Sequence, residues 1–307
     1  HWQAASLSKG AWVAAPSAPP HRWLPKYLIR QSDYNQSNRA IHGQKIGIRD
    51  IARSTDERTT IASPIPDLPC GNIVGVLRST RVPSICLTAV MGTFAFDFCA
   101  RLRISGTHLN YYLLKELPLP RWRPTPGVQE LATRLSWTHT RFAPWWKPGP
   151  QPWRKLWAVT PHERLRLRSM LDAIVAFKFD LDRALLAWIL KDCDYPVAEL
   201  TDPAFCRRLD PKGFWRVDKS QEPELRHTVL SLAAFDDLEA AIARADGDRE
   251  VGLQTFCNQN DGDGWMLPET LCLADLGLTR TVNAGNYDDR AQRPQPVRSR
   301  LGERFLG

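Results

Sequence analysis

The sequence contains no uninterrupted apolar run of about 18 residues, the length that a membrane-spanning helix requires. The nearest candidate, residues 83–100, is broken by one acidic and three polar residues: Asp97, Ser84, Thr88 and Thr93. The first residues also lack the basic start, apolar middle and small-residue cleavage site of a secretory signal. We therefore expect a cytoplasmic protein with no membrane partner.

The sequence also lacks the cysteine spacing of a metal site or a disulfide framework. Its seven cysteines are odd in number and widely separated, and none forms a CxxC pair or stands in a His-flanked metal spacing. Near the C-terminus, Asp261 and Asp263 alternate with glycines, but the ligand succession and terminal Glu of a calcium loop are absent. We expect a reducing compartment, no metal site and no catalytic residue, because no histidine has a Cys or Ser partner motif.

Charge is unevenly divided along the chain. The overall charge is +8, but residues 1–158 carry 21 Lys and Arg against 8 Asp and Glu, which is +13. The remainder carries 20 against 25, which is −5. A strongly basic half favours a polyanion such as nucleic acid, with salt-dependent binding, because lysines and arginines release counterions when they neutralise phosphates. The alternative is an ordinary alkaline surface.

The hydrophobic pattern predicts an α+β fold. Residues 45–51 alternate and residues 59–63 are β-branched, so we predict two strands joined by a polar turn. Ser84 is predicted to cap one helix that runs to about Arg103, and residues 106–114 are predicted to lead into an extended segment. We divide the chain into five segments: an irregular lead-in (1–43), a mixed target-recognition domain (44–120), a Pro- and Trp-rich strap with a short helix near Leu131 (121–157), a helical unit (158–245) and a loop-rich tail (246–307).

The second half is predicted to be mainly helical. Thr160 can cap a long helix, Pro161 suits its first position, and Glu163 can complete the capping box. A second helix is predicted from about Asp182 and a third over 223–244, each with apolar residues at helical spacing.

Two clusters of hydrogen-bond donors are the candidate binding residues. The first surrounds the polar turn and comprises Arg49, Arg53, Ser54, Thr55, Arg58 and Thr59. Arginine can bind a guanine edge through two hydrogen bonds or hold a phosphate, and Ser and Thr donate to phosphate oxygens. The alternative is a solvated turn in which the arginines pair with three acidic neighbours: Asp50, Asp56 and Glu57.

The second donor cluster follows the predicted helix end. It comprises Arg101, Arg103, Thr107, His108 and Asn110, and Gly106 between them lets backbone approach a ligand closely. These residues could also face DNA. The alternative is that the two arginines complement the helix dipole at its C-terminus and that Asn110 caps a turn.

Three motifs in this order resemble a known family. They are the segment 48–62 (IRDIARSTDERTTIA), the segment 94–101 (FAFDFCAR) and the stretch from GTHLN at 106–110 to LPLP at 117–120. They resemble segments that follow the catalytic domain in type IIG restriction-methyltransferases and in the adenine-specific methylases of the BREX and DISARM phage-defence systems. The similarity continues through the block 209–219 (LDPKGFWRVDK) to 265–271, and Phe98 and Asp56 depart mildly from the family pattern.

The resemblance implies a bacterial, DNA-binding target-recognition part of an adenine-N6-specific DNA methyltransferase. The family's glycine-rich S-adenosylmethionine loop and its Asn-Pro-Pro-aromatic motif do not occur in this sequence. Because the first residue is His1 rather than Met, we expect a fragment whose missing N-terminal domain, or a partner chain, binds S-adenosylmethionine and flips the adenine. This chain alone should then carry no cofactor and be inactive.

Two other functions are compatible with the sequence. The helical half could dock other subunits of a defence system while the basic half supports that assembly. The chain could also be an inactive gene fragment. Duplex DNA is the partner that the charge distribution favours.

Overall fold

The structure contains a three-stranded antiparallel sheet. In this computed structural model the described residues are 2–6, 9–12, 29–37, 43–120, 126–146, 156–269 and 271. The chain divides into a first unit, residues 1–40, and a second, residues 41–307. In the first unit, β1 and β2 pair antiparallel and a short helix α1 follows: Trp2–Ser6, Lys9–Trp12 and Gln31–Gln36.

The sheet of the second unit has the order β4-β3-β5. The strands β3, β4 and β5 span Lys45–Arg49, Ala62–Ile65 and Val74–Leu77. The first two confirm the predicted pair, although β4 begins three residues later than expected, and β5 was not predicted. A Cβ on Gly47 would lie 2.1 Å from the Ile65 Cδ1 atom and 3.1 Å from the Val74 Cγ1 atom. The central strand therefore needs glycine where both neighbours cross it.

The single helix predicted over 84–103 is wrong, because two helices, α2 and α3, meet there at a bend of 68°. They span Ser84–Met91 and Phe94–Arg103. Gly92 ends the first, and Thr93, in extended conformation, precedes the second. Ser84 is the first residue of α2 rather than its cap, and its hydroxyl makes no capping bond. No single helix among the described residues is long and apolar enough to cross a membrane, although this bent pair passes that test of length and composition together.

Residues 106–114 were predicted to be a loop that leads into an extended segment, but helix α4, Tyr111–Glu116, begins within this stretch. The Tyr111 hydroxyl accepts a hydrogen bond from the Val76 N–H at 2.9 Å, on the edge of β5 that faces away from β3. This contact covers a free strand edge and fixes the start of α4 against the sheet. Loop 104–110 is thereby held at both ends by regular structure.

After α4, the described residues of the second unit are mainly helical. Helix α5 confirms the helix expected near Leu131, and the remaining part of the strap, 121–125 and 147–155, lies outside the described residues. In chain order the elements are α5 Pro126–Ser136, a 3-10 turn Thr140–Trp145, α6 Pro161–Lys178, α7 Arg183–Ile189, α8 Val197–Thr201, α9 Pro203–Cys206, a 3-10 turn Pro223–Leu225, α10 His227–Arg244 and α11 Arg249–Gly262. The loop-rich tail predicted after residue 245 is wrong for α11, which packs on α10. The tail from 272 onward is outside the described residues.

Helix α6 begins as predicted at its cap. The Thr160 hydroxyl accepts from the Glu163 N–H at 3.2 Å, and Pro161 occupies the first helical position. Glu163 does not reach back to complete the capping box, because its carboxylate pairs instead with the buried guanidinium groups of Arg134 and Arg166. The cap is therefore half formed, and the acid joins α6 to α5.

One hydrophobic core spans the predicted target-recognition domain and the helical unit. Ile85 and Phe94 from the first segment share a buried cluster with Ile174 of α6 and Leu232 of α10. A smaller cluster, which includes Ile46, Ile48 and Phe96, joins the sheet to α2 and α3. The sheet and its following loops are thus supported from behind by the helical core.

A buried histidine–carboxylate pair lies where α3, α6 and α10 meet. The His227 Nε2 atom is 2.7 Å from the Asp172 Oδ2 atom, and the other Asp172 oxygen accepts from the Phe94 N–H at 2.7 Å. Burial lowers the pKa of His227 below its ordinary value of 6.5, and the contact with Asp172 opposes this effect. The folded protein therefore favours a neutral His227.

We expect this histidine to make the protein less stable in mild acid. An unfolded chain would protonate His227 near its ordinary pKa, whereas the folded chain resists protonation until a lower pH. Its contribution to stability is complete above about pH 6.5 and decreases as the pH falls toward the lowered pKa. Denaturant unfolding from pH 7.5 to 5 should show a smaller loss of unfolding free energy for His227→Gln than for the wild type. Equal losses would contradict the prediction.

Candidate nucleic-acid interface

The polar turn between β3 and β4 is closed by Asp56. Its Oδ2 atom accepts from the Arg53 N–H at 3.3 Å, and its own N–H donates to the Arg53 carbonyl at 3.2 Å. The same oxygen pairs with the Arg49 Nη2 atom at 3.3 Å, and that nitrogen also donates to the Arg58 carbonyl at 3.0 Å. The alternative considered from the sequence, in which the arginines pair with acidic neighbours, therefore applies to Arg49, whose guanidinium helps to fix the conformation of the turn.

The far side of the turn is anchored by Asp97, which is fully buried in α3. Its carboxylate accepts from the backbone N–H groups of Thr59 and Thr60 at 3.0–3.2 Å. It also pairs with the Arg58 Nε atom at 3.0 Å. The Arg58 guanidinium further donates to the Gly92 carbonyl and lies over the Phe94 ring. The side chain of Arg58 is therefore used to attach the turn to the α2–α3 bend.

Arg101 joins this turn to a distant loop. One guanidinium nitrogen donates to the carbonyls of Asp56 and Glu57 at 2.8 and 2.7 Å, and the other donates to those of Lys212 and Gly213 at 2.9 and 3.0 Å. Burial lowers the pKa of Arg101, and the Asp97 carboxylate opposes this shift. An arginine offers five donors in a rigid fork, so one side chain can hold two backbone segments at a fixed separation.

The second donor cluster lies beside the turn. Ile51 and His108 form an antiparallel bridge, and the Ala52 N–H donates to the Thr107 carbonyl at 2.9 Å. The His108 Nδ1 atom is 2.7 Å from the Asp50 Oδ2 atom. Two loops separated by about fifty residues in sequence are thus joined by backbone hydrogen bonds.

Six of the eleven predicted site residues present polar side chains on these joined loops. We call them the donor surface, and they are Arg53, Ser54, Thr55, Thr107, His108 and Asn110. Apart from the His108–Asp50 contact, their side chains make no hydrogen bond to the described part of the chain. Their side-chain donors therefore remain available to a ligand.

The other five predicted residues have different roles. Thr59 and Arg101 are completely buried, so their side chains present no donor at the surface of the protein. Arg49 and Arg58 are half-buried and engaged in the bonds described above. Arg103 is exposed and lies 3.8 Å from the Glu116 carboxylate, an arrangement that a ligand could readily displace.

Sequence reasoning missed three residues that organise the site. Asp97 was named only as an interruption of an apolar run, although a single acid on a buried helix, four residues before an arginine, is a signal of an internal ion pair. The contribution of Lys212 and Gly213 had no local signal, because their carbonyls meet Arg101 more than a hundred residues away.

No metal site is found in the described ranges, where no group of three or more His, Cys, Asp or Glu side chains could hold an ion. Asp261 and Asp263 end α11 in a kinked turn, with Asn260 and Asp261 in left-handed conformation. Comparison with protein-family models, curated proteins and solved structures found no match to this chain. The functional argument therefore depends on the donor surface and on the motifs in the sequence.

Proposed function

We propose that this chain binds duplex DNA through the donor surface, as the target-recognition part of an adenine-N6-specific DNA methyltransferase of a restriction-modification or phage-defence system. The observation that supports DNA binding is that two exposed loops with hydrogen-bond donors are joined to each other and are held in place by buried side chains. A rigid scaffold that presents loop donors is the usual construction of a recognition site. The expected partners are duplex DNA and a catalytic domain or chain that binds S-adenosylmethionine.

The chemistry of the donor surface suits a DNA groove. Arg53 can donate two hydrogen bonds to a guanine edge or bind a phosphate. Ser54, Thr55 and Thr107 carry hydroxyl groups that can position the protein on phosphate oxygens, and Asn110 can pair with an adenine edge. Asp56 and Asp97 hold the backbone of the turn in place through hydrogen bonds. Binding to DNA therefore does not have to include the entropy cost of ordering this turn.

Adenine methylation is supported by the motif resemblance, and the geometry adds the reason why those motifs occur together. The segment 48–62 forms the turn, the segment 94–101 supplies Asp97 and Arg101, and residues 106–110 form the adjoining loop. Two of these motifs therefore carry the donor surface, and the third supplies buried side chains that hold the turn in place. The described residues provide no arrangement from which a methyl-transfer step follows.

A second candidate function, docking of a protein subunit, is favoured by an exposed apolar patch on α3 and α7. Leu102, Leu185 and Trp188 are each about half exposed, and the Trp188 ring contacts Phe98 edge-on at 5.6 Å between centroids. Exposed apolar side chains that cluster can mark interaction sites. If docking were the main function, binding to DNA would be absent even at low salt.

Arg53→Ala and Arg58→Ala should separate recognition from support. Arg53→Ala should keep the wild-type melting temperature and lose DNA affinity. If Arg53 binds a base edge, the loss should be about 1–3 kcal/mol on a duplex selected from a random pool, and much smaller on random DNA. If it binds a phosphate, both duplexes should weaken alike and the slope of log K against log salt should fall by about one unit.

Arg58→Ala is the matched structural variant. It should lower the melting temperature, because it removes a cation that pairs with the buried Asp97 carboxylate and removes the donor to the Gly92 carbonyl, while the folded fraction retains DNA affinity. Fluorescence anisotropy and thermal unfolding measure the two properties separately. If the wild type binds DNA and Arg53→Ala binds it with the same affinity and specificity, Arg53 is not a DNA contact.

A further inference from the structure

A basic loop lies beside the donor surface although it belongs to the acidic half of the sequence. Residues 207–219, which we call the basic loop, carry five basic residues against two acidic ones: Arg207, Arg208, Lys212, Arg216 and Lys219 against Asp210 and Asp218. Its net charge is +3, whereas residues 159–307 together carry −5. A count of charge over each half of the sequence therefore does not reveal this positive segment, which the fold places beside the polar turn.

Two sets of contacts bring the basic loop to the polar turn. The Arg101 guanidinium bonds the carbonyls of both segments, as described above. The Asp218 N–H lies 3.4 Å from the Glu57 Oε1 atom. The basic loop and the turn are therefore adjacent segments of one surface.

The acidic groups of the basic loop are used internally. The Asp210 Oδ1 atom accepts from the Lys212 N–H at 2.8 Å, and the Asp218 Oδ2 atom accepts from the His227 N–H at 3.1 Å. In contrast, Arg207 and Lys212 are exposed, and within the described ranges their side-chain nitrogens have no hydrogen bond or ion pair. Arg207 and Lys212 thus face solvent, while both carboxylates of the loop accept from backbone N–H groups and the Asp210 Oδ2 atom also lies 3.9 Å from the Lys191 Nζ atom.

We propose that the basic loop is a second DNA contact, which binds the phosphate backbone of the duplex that the donor surface engages. This inference rests on the proposed DNA-binding function and extends it to residues that donor spacing did not identify. Lysines and arginines on a backbone-supported loop bind phosphates without regard to base sequence. The donor surface would then select the sequence, and the basic loop would add affinity that depends on salt.

The double variant Arg207→Gln, Lys212→Gln tests this contact. Both side chains are exposed, so the melting temperature should not change. The slope of log K against log salt on a random-sequence 24-base-pair duplex should fall by about two units, because each phosphate contact contributes about 0.9. Preference for a selected duplex over a random one should stay at the wild-type value, since phosphate contacts carry no sequence information.

Arg244→Gln is the matched control. Arg244 is exposed at the last residue of α10, while His227 at its first residue bonds the basic loop. An 18-residue helix is about 27 Å long, so this control removes one positive charge far from the loop. The salt slope should stay unchanged. An equal fall per removed charge in both variants would show a general field effect and overturn the proposal.

The outcomes distinguish this inference from the function on which it rests. If the wild type binds DNA and Arg53→Ala weakens it, but the double variant keeps the wild-type salt slope, the basic-loop contact is wrong and DNA binding stands. If the wild type fails to bind the duplex even at low salt, DNA binding itself is wrong, and the basic loop loses its ligand with it.

Discussion

Asp97→Ala should destabilise the protein by about 3–5 kcal/mol, because removing one member of a buried ion pair leaves the other charge uncompensated. Asp97 is completely buried and accepts from Thr59, Thr60 and Arg58. Its loss leaves buried backbone donors unpaired and leaves Arg101 in a site where burial already disfavours its charge. For a domain of this size, the melting temperature should fall by roughly 6–20 °C.

Two variants sharpen this test. Asp97→Asn keeps the shape of the side chain and one acceptor oxygen, so its loss of stability should be intermediate. Glu116→Ala removes a carboxylate from an exposed pair with Arg103, and its effect should stay within about 0.5 kcal/mol. Chemical denaturation gives all three values. An Asp97→Ala loss as small as that of Glu116→Ala would contradict the buried anchor.

Local signals predicted the elements whose causes are local. The alternation around Ile46 and Ile48 predicted β3, and the Thr160-Pro161 cap predicted α6. The α+β class followed from these two patterns and is confirmed. The Gly92-Thr93 break between α2 and α3 also had a local signal, since glycine often ends a helix and threonine often precedes one, but the apolar spacing continues across it.

Elements that depend on distant partners were not predictable in this way. Strand β5 has only four residues between turn-forming segments, and its stability comes from pairing with β3 and from the Tyr111 hydroxyl. Helix α4 is short and acquires its position from the same contact. Strand pairing and edge covering are long-range interactions, so local hydrophobic periodicity does not report them.

The candidate site shows the same division between residue type and residue role. Sequence reasoning selected two loops that the fold joins to each other, but it did not separate Arg53 from Arg101. Both are arginines in polar segments near glycine or serine. They differ in their tertiary contacts: the Arg101 guanidinium donates to backbone carbonyls that are distant in sequence, including those of Asp56 and Gly213. An arginine's role is decided by these tertiary contacts.

Phe94→Asp should abolish cooperative folding, which is the largest effect that we expect. Phe94 is 1% exposed, and its ring lies 5.0 Å from that of Phe214 and 4.8 Å from that of His227 between centroids. Removing a buried phenylalanine ring costs about 3–5 kcal/mol, and a buried carboxylate adds its own desolvation cost. The total approaches the whole stability of a typical domain, which is about 5–15 kcal/mol.

The Arg58 guanidinium, 4.4 Å from the Phe94 ring centroid, does not rescue the new carboxylate, because Arg58 already pairs with Asp97. The variant places a third acid beside Asp97 and Asp172, where α3 begins against α6 and α10. Phe94→Leu is the control, since it keeps an apolar side chain and should cost only about 1–2 kcal/mol. Thermal unfolding followed by circular dichroism should show a cooperative transition for the leucine variant and none for the aspartate variant. A cooperative transition of Phe94→Asp near the wild-type temperature would show that α3 does not pack on this core.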